Sequence, residues 1–139
     1  MAQHLVLSED TMALSRIARE HAAEIRNHDW SDAPFRADRA GHDRAVDGRG
    51  GRVLTDQETD TIRMNVMWVT AQVLGHQDPN FNVYEFAAAC GVEITTRSGR
   101  LNGGIEAGVR LHEGRYMRPG TWDAGEGDWL DEVDARDRR

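Results

Sequence analysis

Five arginines near the C-terminal end of the chain are the side chains whose charge and spacing best suit an anionic ligand. They lie in segment 93–118, where five arginines against three glutamates give +2 in a chain with a formal net charge of -7. A guanidinium group stays charged at neutral pH and donates paired hydrogen bonds to phosphate. The segment therefore predicts duplex DNA as a ligand, bound through the following side chains: Arg97, Arg100, Arg110, Arg115 and Arg118.

The acidic C-terminal segment also carries large apolar side chains. From Trp122 onward, seven acids against three arginines give a charge of -4. Acidic segments with aromatic anchors suit basic, apolar grooves, because tryptophan buries a large area at low entropic cost and carboxylates steer the encounter. We therefore expect a protein partner or a homo-oligomer to be bound by Trp122, Trp129, Leu130 and Val133. In the alternative interpretation, both tryptophans fold back onto the domain.

Neither catalysis nor a resident metal ion is expected from the sequence. Cys90 has no base or orienting group beside it in the chain, as a nucleophile requires. His21 and His28 are seven residues apart rather than the four of a helical metal pair. Segment 48–52, GRGGR, lacks the lysine and the following helix of a phosphate-binding loop. The sequence therefore predicts a non-enzymatic protein without cofactor, metal or small-molecule substrate.

The arginines would be positioned by a helix-turn-helix-like corner in segment 83–105, which reads VYEFAAACGVEITTRSGRLNGGI. Phe86, the small Ala87, Cys90 and the turn residue Gly91 match the first half of the generic motif. The small residue matters there because a second helix must cross closely over the first. The second half of the motif matches only if the turn is a few residues longer than usual.

After such a turn, a second helix would be capped by Thr95, Thr96 or Ser98, with Arg97 and Arg100 near its exposed leading end. Its inward side chains would be Leu101, Ile105 and Val109. Four glycines oppose this helix, since each weakens it by about 1 kcal/mol relative to alanine. The alternative interpretation is a structural corner of the core that never contacts nucleic acid.

The other signals predict a small, mainly α domain of three to four helices. One helix spans residues 8–27, and a capping box of Thr55 and Glu58 begins a central buried helix that ends at Gly75. A shorter helix begins at Asn82. The inward stripe of the first helix is expected at Leu14, Ile17, His21, Ile25 and His28.

A β-hairpin is predicted in segment 109–117, VRLHEGRYM, with its turn at His112, Glu113 and Gly114. This is the place that a wing would occupy after a helix-turn-helix unit. The organisation is therefore one helical domain over residues 1–118, followed by an acidic tail over residues 119–139.

The length of 139 residues fits that single domain. An aspartate- and arginine-rich loop over residues 31–54 interrupts it. The N-terminal residues lack the features of a secretory signal, and no apolar run approaches the roughly 20 residues that cross a bilayer. With one cysteine only, we expect a cytoplasmic protein without membrane association.

Two functions from different classes remain open at this point. The first is a small regulatory or accessory protein that binds DNA through a degenerate winged helix-turn-helix, as a phage or mobile-element regulator would. The second is a protein-binding adaptor, assembly component or inhibitor, including a DNA mimic. It would act through the acidic tail and the arginine- and aspartate-rich loop.

Overall fold

Four α-helices and one short antiparallel hairpin form the part of the chain that the computed structural model describes, which is residues 14–37, 40–41 and 51–122. The helices are α1 (Arg16–Asn27), α2 (Asp56–Gln77), α3 (Val83–Ala89) and α4 (Gly103–Ala107), and the strands are β1 (Leu111–His112) and β2 (Arg115–Tyr116). A single 3-10 turn lies at Ala33–Phe35. The predicted mainly α fold with a C-terminal hairpin is confirmed.

Helix α1 begins where a serine satisfies one of its free backbone amides. The Oγ atom of Ser15 accepts a hydrogen bond from the amide of Ala18 at 3.1 Å. The helix ends at Asn27, as predicted. The predicted start was wrong, because Leu14 and Ser15 are not helical; Ser8 itself lies outside the described residues.

The buried face of α1 contains two alanines and only part of the predicted stripe. Ala18, Ala22 and Ile25 are buried, whereas Ile17 is 59% exposed and His21 is exposed as well. Alanine has no bulk beyond its β-carbon, so the helix can approach α2 and α3 closely on that face. The prediction was right for Leu14 and Ile25 and wrong for Ile17 and His21. His28, directly after the helix, is half-buried.

The predicted capping box of α2 is confirmed. The amide of Glu58 donates to Oγ1 of Thr55 at 3.1 Å, and the amide of Thr55 donates to Oε1 of Glu58 at 2.9 Å. The helix continues past Gly75 to Gln77. Gly75 is needed inside the helix, because a β-carbon there would lie 2.5 Å from ring atoms of Tyr116.

Helix α3 is also bounded by the residues that the sequence singled out. Oδ1 of Asn82 accepts from the amide of Tyr84 at 2.9 Å. Gly91 ends the helix in the left-handed conformation, with φ of +87°. The side chains of Val83, Phe86, Ala87 and Cys90 are buried.

The chain after Gly91 differs from the expected second helix of the motif. The amide of Asn102 donates to the carbonyl of Ile94, and the amide of Thr96 donates to the carbonyl of Arg100, both at 2.8 Å. These bonds close a hairpin-like loop over residues 94–102, with Gly99 at a φ of +85° near its tip. We call it the arginine loop, because Arg97 and Arg100 lie in it.

The second helix therefore begins later than expected. Asn102 caps α4 by accepting from the amide of Gly104 at 3.0 Å, so Thr95, Thr96 and Ser98 were wrong as caps. Ile105 and Val109 are buried as predicted, but Leu101 is 48% exposed. The arginine loop is the physical reason, since its backbone hydrogen bonds hold residues 94–102 away from helical geometry.

The hairpin lies where the sequence predicted it. Leu111 pairs with Tyr116 and His112 pairs with Arg115 in an antiparallel register. The turn between them has φ of +52° at Glu113 and +77° at Gly114, the two positive values that a tight two-residue hairpin turn requires.

One core joins these elements. Phe86, Met67 and Ile105 are among its largest fully buried side chains, and they come from α3, α2 and α4. Helices α1, α2 and α3 all contact one another, while α4 packs on α3 and β2 packs on α2. None of the described helices is both long enough and apolar enough to cross a membrane.

The ends of the long loop 31–54 are held against the domain. Nε1 of Trp30, just before the loop, donates to the carbonyl of Ile25 at 2.9 Å. Within the loop, the guanidinium carbon of Arg52 lies 4.3 Å from the ring centroid of Phe35. The amide of Leu54 donates to the carbonyl of Ser31 at 2.6 Å. Most of the aspartates and arginines between them lie outside the described residues.

Candidate functional site

The five arginines predicted to bind nucleic acid are divided between two environments. Arg97, Arg100 and Arg115 are exposed, the first two in the arginine loop and the third on β2. Arg110 and Arg118 are partly buried in the segment that packs beside α2. Arg97 and Arg100 therefore lie in a loop and not at the leading end of a helix, where they were predicted.

Arg110 holds the chain segment that follows the hairpin. Its Nε donates to the carbonyl of Thr121 at 2.8 Å, and its Nη2 donates to the carbonyl of Arg118 at 3.4 Å. Its guanidinium carbon also lies 5.3 Å from the ring centroid of Trp122, within the range of a cation–π contact. Arg110 thus organises the turn at 118–122, a task that the sequence did not reveal.

Gln72 fixes the backbone of Arg110 from the side of α2. Its Oε1 accepts from the amide of Arg110 at 2.7 Å, and its Nε2 donates to the carbonyl of Arg110 at 3.1 Å. The same Nε2 donates to the carbonyl of Met117 at 3.0 Å. A buried glutamine can therefore join both ends of the hairpin to the central helix without leaving its own amide unsatisfied.

Between α2 and this segment lies a cleft of about 220 Å³, which we call the α2 cleft. One wall consists of Trp68, Val69, Gln72 and Val73 of α2, and the other is formed from Gly108, Arg110 and residues 119–120. Val69 is 72% exposed and Val73 is exposed too. Large aliphatic side chains thus face solvent at the mouth of a concave surface.

The shape of the α2 cleft depends on a close contact between Trp68 and Gly108. A β-carbon at Gly108 would overlap the indole of Trp68, so only glycine permits this approach. Nε1 of Trp68 donates to the carbonyl of Ile105 at 2.8 Å, which satisfies the polar end of the ring. The indole therefore presents apolar surface to the cleft.

Trp122 is the most exposed of the large apolar side chains in the described chain, at 82%. It follows the turn that Arg110 holds and lies against the Arg110 guanidinium rather than in the core. Trp129, Leu130 and Val133, the other predicted partner-binding residues, lie outside the described residues.

Cys90 contributes a buried thiol to the core. Burial raises the pKa of the Cys90 thiol to about 12, and the nearby charge of Arg63 offsets only part of this effect. The thiol is therefore protonated at neutral pH and a poor nucleophile. Within residues 14–37, 40–41 and 51–122, no three histidine, cysteine or acidic side chains come close enough together to hold a metal ion.

Comparison with protein-family models, with curated proteins and with solved structures yields no match.

Sequence reasoning missed Gln72, Val69 and Val73 as members of a surface. The signal that could have revealed Gln72 is its position as a polar residue within the apolar stretch 66–74 of α2. The two valines lie on the side of that helix that faces the α2 cleft and solvent.

Proposed function

We propose that this chain is a small accessory protein that acts by binding a protein partner at the α2 cleft. The observation that carries the proposal is the exposure of Val69 and Val73 at the mouth of a concave apolar surface, next to an exposed Trp122. Contiguous exposed apolar surface on a small domain is typical of interaction sites.

The size of the cleft supports a macromolecular partner over a metabolite. Pockets for small molecules usually enclose about 300–1,000 Å³, whereas this cleft has about 220 Å³. That volume suits one side chain inserted from a partner's surface. Its polar groups are also largely engaged, since Gln72 and the Trp68 indole have their own hydrogen-bond partners.

The residue types at the cleft are those that dominate protein interfaces. Tryptophan and arginine are enriched among the side chains that contribute most to binding. Here Trp122 and Arg110 contact each other beside the cleft, so the indole enters an encounter already oriented. Trp129, Leu130 and Val133 remain in the proposal as further anchors that the sequence predicts. A cytoplasmic location suits the free, buried Cys90.

A co-purification experiment with matched variants tests this proposal. Val69→Asp places a charge on the cleft wall at a residue that is 72% exposed, so it should leave the fold intact. Ile17→Asp is the control, since Ile17 is 59% exposed on α1, which contributes nothing to the cleft wall. Proteins retained by the wild-type chain and by Ile17→Asp should be lost with Val69→Asp. Identical sets for all three chains would contradict the proposal.

DNA binding is the second candidate, and the exposure of Arg97, Arg100 and Arg115 favours it. In this version the protein is a regulator, and the exposed tip of the arginine loop approaches the phosphates while Arg115 extends the basic surface from the hairpin. Loops and hairpins that carry arginines can bind a nucleic-acid backbone without a recognition helix.

The second candidate is tested by fluorescence anisotropy with labelled duplex DNA at several salt concentrations. If phosphate contacts dominate, affinity should fall steeply as the salt concentration rises. In the double variant Arg97→Ala with Arg100→Ala, the slope of log affinity against log salt concentration should decrease by the amount that about two phosphate contacts contribute. Arg16→Ala, an exposed arginine on α1, is the control. Absence of binding at low salt would remove this candidate and leave the protein-binding proposal untouched.

A further inference from the structure

The lining of the α2 cleft restricts the chemistry of the segment that can enter it. Resting on the proposed protein-binding function, we infer that the occupant is a partner's peptide segment in which an aromatic or branched aliphatic side chain is flanked by carboxylates. The inference concerns the kind of partner, and it depends on the apolar walls of the cleft and on the single charge beside them.

The apolar part of the inference follows from the α2 wall. This wall presents the carbon atoms of Trp68, Val69 and Val73 to the cleft. Its polar residue is Gln72, whose side-chain amide is already hydrogen-bonded to Arg110 and Met117. A polar side chain inserted there would lose water without gaining a partner, which is unfavourable. An apolar side chain would displace water from these carbon atoms and be stabilised.

The acidic part follows from Arg110. Among the described residues that line the cleft, Arg110 is the only charged one. A guanidinium has five N–H donors, and two of those in Arg110 bond to the carbonyls of Thr121 and Arg118. Further donors of the same group are then positioned by those bonds and by the Trp122 ring, and a carboxylate is the acceptor that matches their planar geometry.

The sign of the charge also discriminates between partners. A basic segment would place like charges together at a partly dehydrated surface, where repulsion is strong. A neutral segment would cover the apolar walls but leave Arg110 without its anionic partner. The segment that meets both conditions is therefore an apolar one flanked by acidic residues.

Three synthetic hexapeptides test the inference on the full chain. They share a central Trp-Leu pair, flanked on both sides by glutamate, glutamine or arginine. Amide chemical shifts of the isotope-labelled protein are followed up to about 2 mM peptide, a range that captures weak anchors. The glutamate peptide should shift the amides of Val69, Val73, Gly108 and Gly120, with an affinity about threefold to tenfold above the glutamine peptide. The arginine peptide should give no shifts there.

Two protein variants separate the charge from the apolar contact. Arg110→Gln should make the glutamate and glutamine peptides bind equally, whereas Val69→Asp should abolish binding of both. Equal binding of all three peptides to the wild-type chain, shifts confined to another surface, or no shifts at all would overturn the inference. If co-purified partners still depend on Val69 in that case, the protein-binding function stands and only the proposed chemistry of the partner falls.

Discussion

Gln72 and the backbone of Arg110 form a reciprocal hydrogen-bonded pair across 38 positions of sequence. The side-chain amide of Gln72 both donates to and accepts from the peptide groups of Arg110, as a neighbouring strand would. This pair brings the start of the hairpin against α2 and sets the width of the α2 cleft. The candidate site thus depends on a buried glutamine whose side-chain amide is hydrogen-bonded within the domain.

Replacing Gln72 by leucine should destabilise the protein strongly while keeping the side-chain volume. The amide of Arg110 and the carbonyl of Met117 would lose a hydrogen-bond partner in a partly buried setting. We expect the free energy of unfolding to fall by about 2–4 kcal/mol, since each unsatisfied group costs about 1–3 kcal/mol. Urea denaturation followed by circular dichroism measures this change.

The matched control is Gln77→Leu, at an exposed position in the last turn of the same helix. The residue type is the same, but the side chain of Gln77 has no described hydrogen-bond partner. The free energy of unfolding should therefore change by about 0.5 kcal/mol or less. Similar losses for both variants would show that the Gln72 pair contributes little.

The local signals in the sequence identified the ends of several elements correctly. The capping box of Thr55 and Glu58, the Asn82 cap and the stop at Gly91 all involve residues within a few positions of one another. Such short-range hydrogen bonds and backbone angles depend on local chemistry, which a single sequence contains.

The faces of the helices and the candidate site could not be predicted in the same way. Whether Ala18 or Ile17 faces inward depends on how closely another helix approaches, and this is a tertiary property. Likewise, the arginine loop replaces a helical turn because the backbones on its two sides hydrogen-bond to each other, with Gly99 near the tip. The link from Gln72 to Arg110 leaves no short-range pattern at all.

Gly108→Ala should destabilise the protein and disturb the α2 cleft. The added methyl group would overlap the Trp68 indole, which is held by its bond to the carbonyl of Ile105. Overpacking of this kind costs about 1–3 kcal/mol, and the amide shifts of Val69 and Val73 should move as the ring is displaced. Thermal denaturation and an amide correlation spectrum report the two effects.

Gly103→Ala provides the opposite case at the other end of α4, which Gly108 follows directly. A β-carbon at Gly103 meets no atom within 4 Å, so the substitution mainly restricts the unfolded chain and should stabilise the protein by about 0.4–1 kcal/mol. The two substitutions should therefore change the free energy of unfolding in opposite directions. If both variants were destabilised to the same extent, the contact with Trp68 would not explain the effect at Gly108.

The stability of the protein should fall as the pH rises from about 9 to about 12. Burial raises the pKa of Cys90 from 9.0 to about 12, so the folded protein keeps a proton that the unfolded chain has lost in this window. Because the native state then binds more protons, the free energy of unfolding decreases with pH, by at most about 1.4 kcal/mol per pH unit for one group. The chain has no lysine, so few other groups titrate there.

Tyr116 should contribute to the loss of stability in the upper part of the same pH range. Its burial, reinforced by the charge of Glu106, raises the pKa of the phenol from 10.0 to about 12. Urea denaturation at pH 8 to 11 should give a shallower decline for Cys90→Ala from about pH 9, and for Tyr116→Phe only from about pH 10. Parallel profiles for the wild type and both variants would exclude these two groups as the cause.

The position of Trp122 should depend on Arg110 and not on the other arginines of the hairpin. Because the guanidinium of Arg110 bonds to the carbonyl of Thr121 and lies 5.3 Å from the Trp122 ring centroid, Arg110→Met removes the main restraints on an indole that is otherwise exposed. Fluorine NMR of the chain labelled with 5-fluorotryptophan follows the four tryptophans separately, and Trp122→Phe assigns the resonance. In Arg110→Met that resonance should sharpen and move toward the value of free fluorotryptophan, while Arg115→Met leaves it in place.

An unchanged Trp122 resonance in Arg110→Met would mean that the cation–π contact does not orient the indole. The α2 cleft would then meet its partner without a fixed tryptophan beside it.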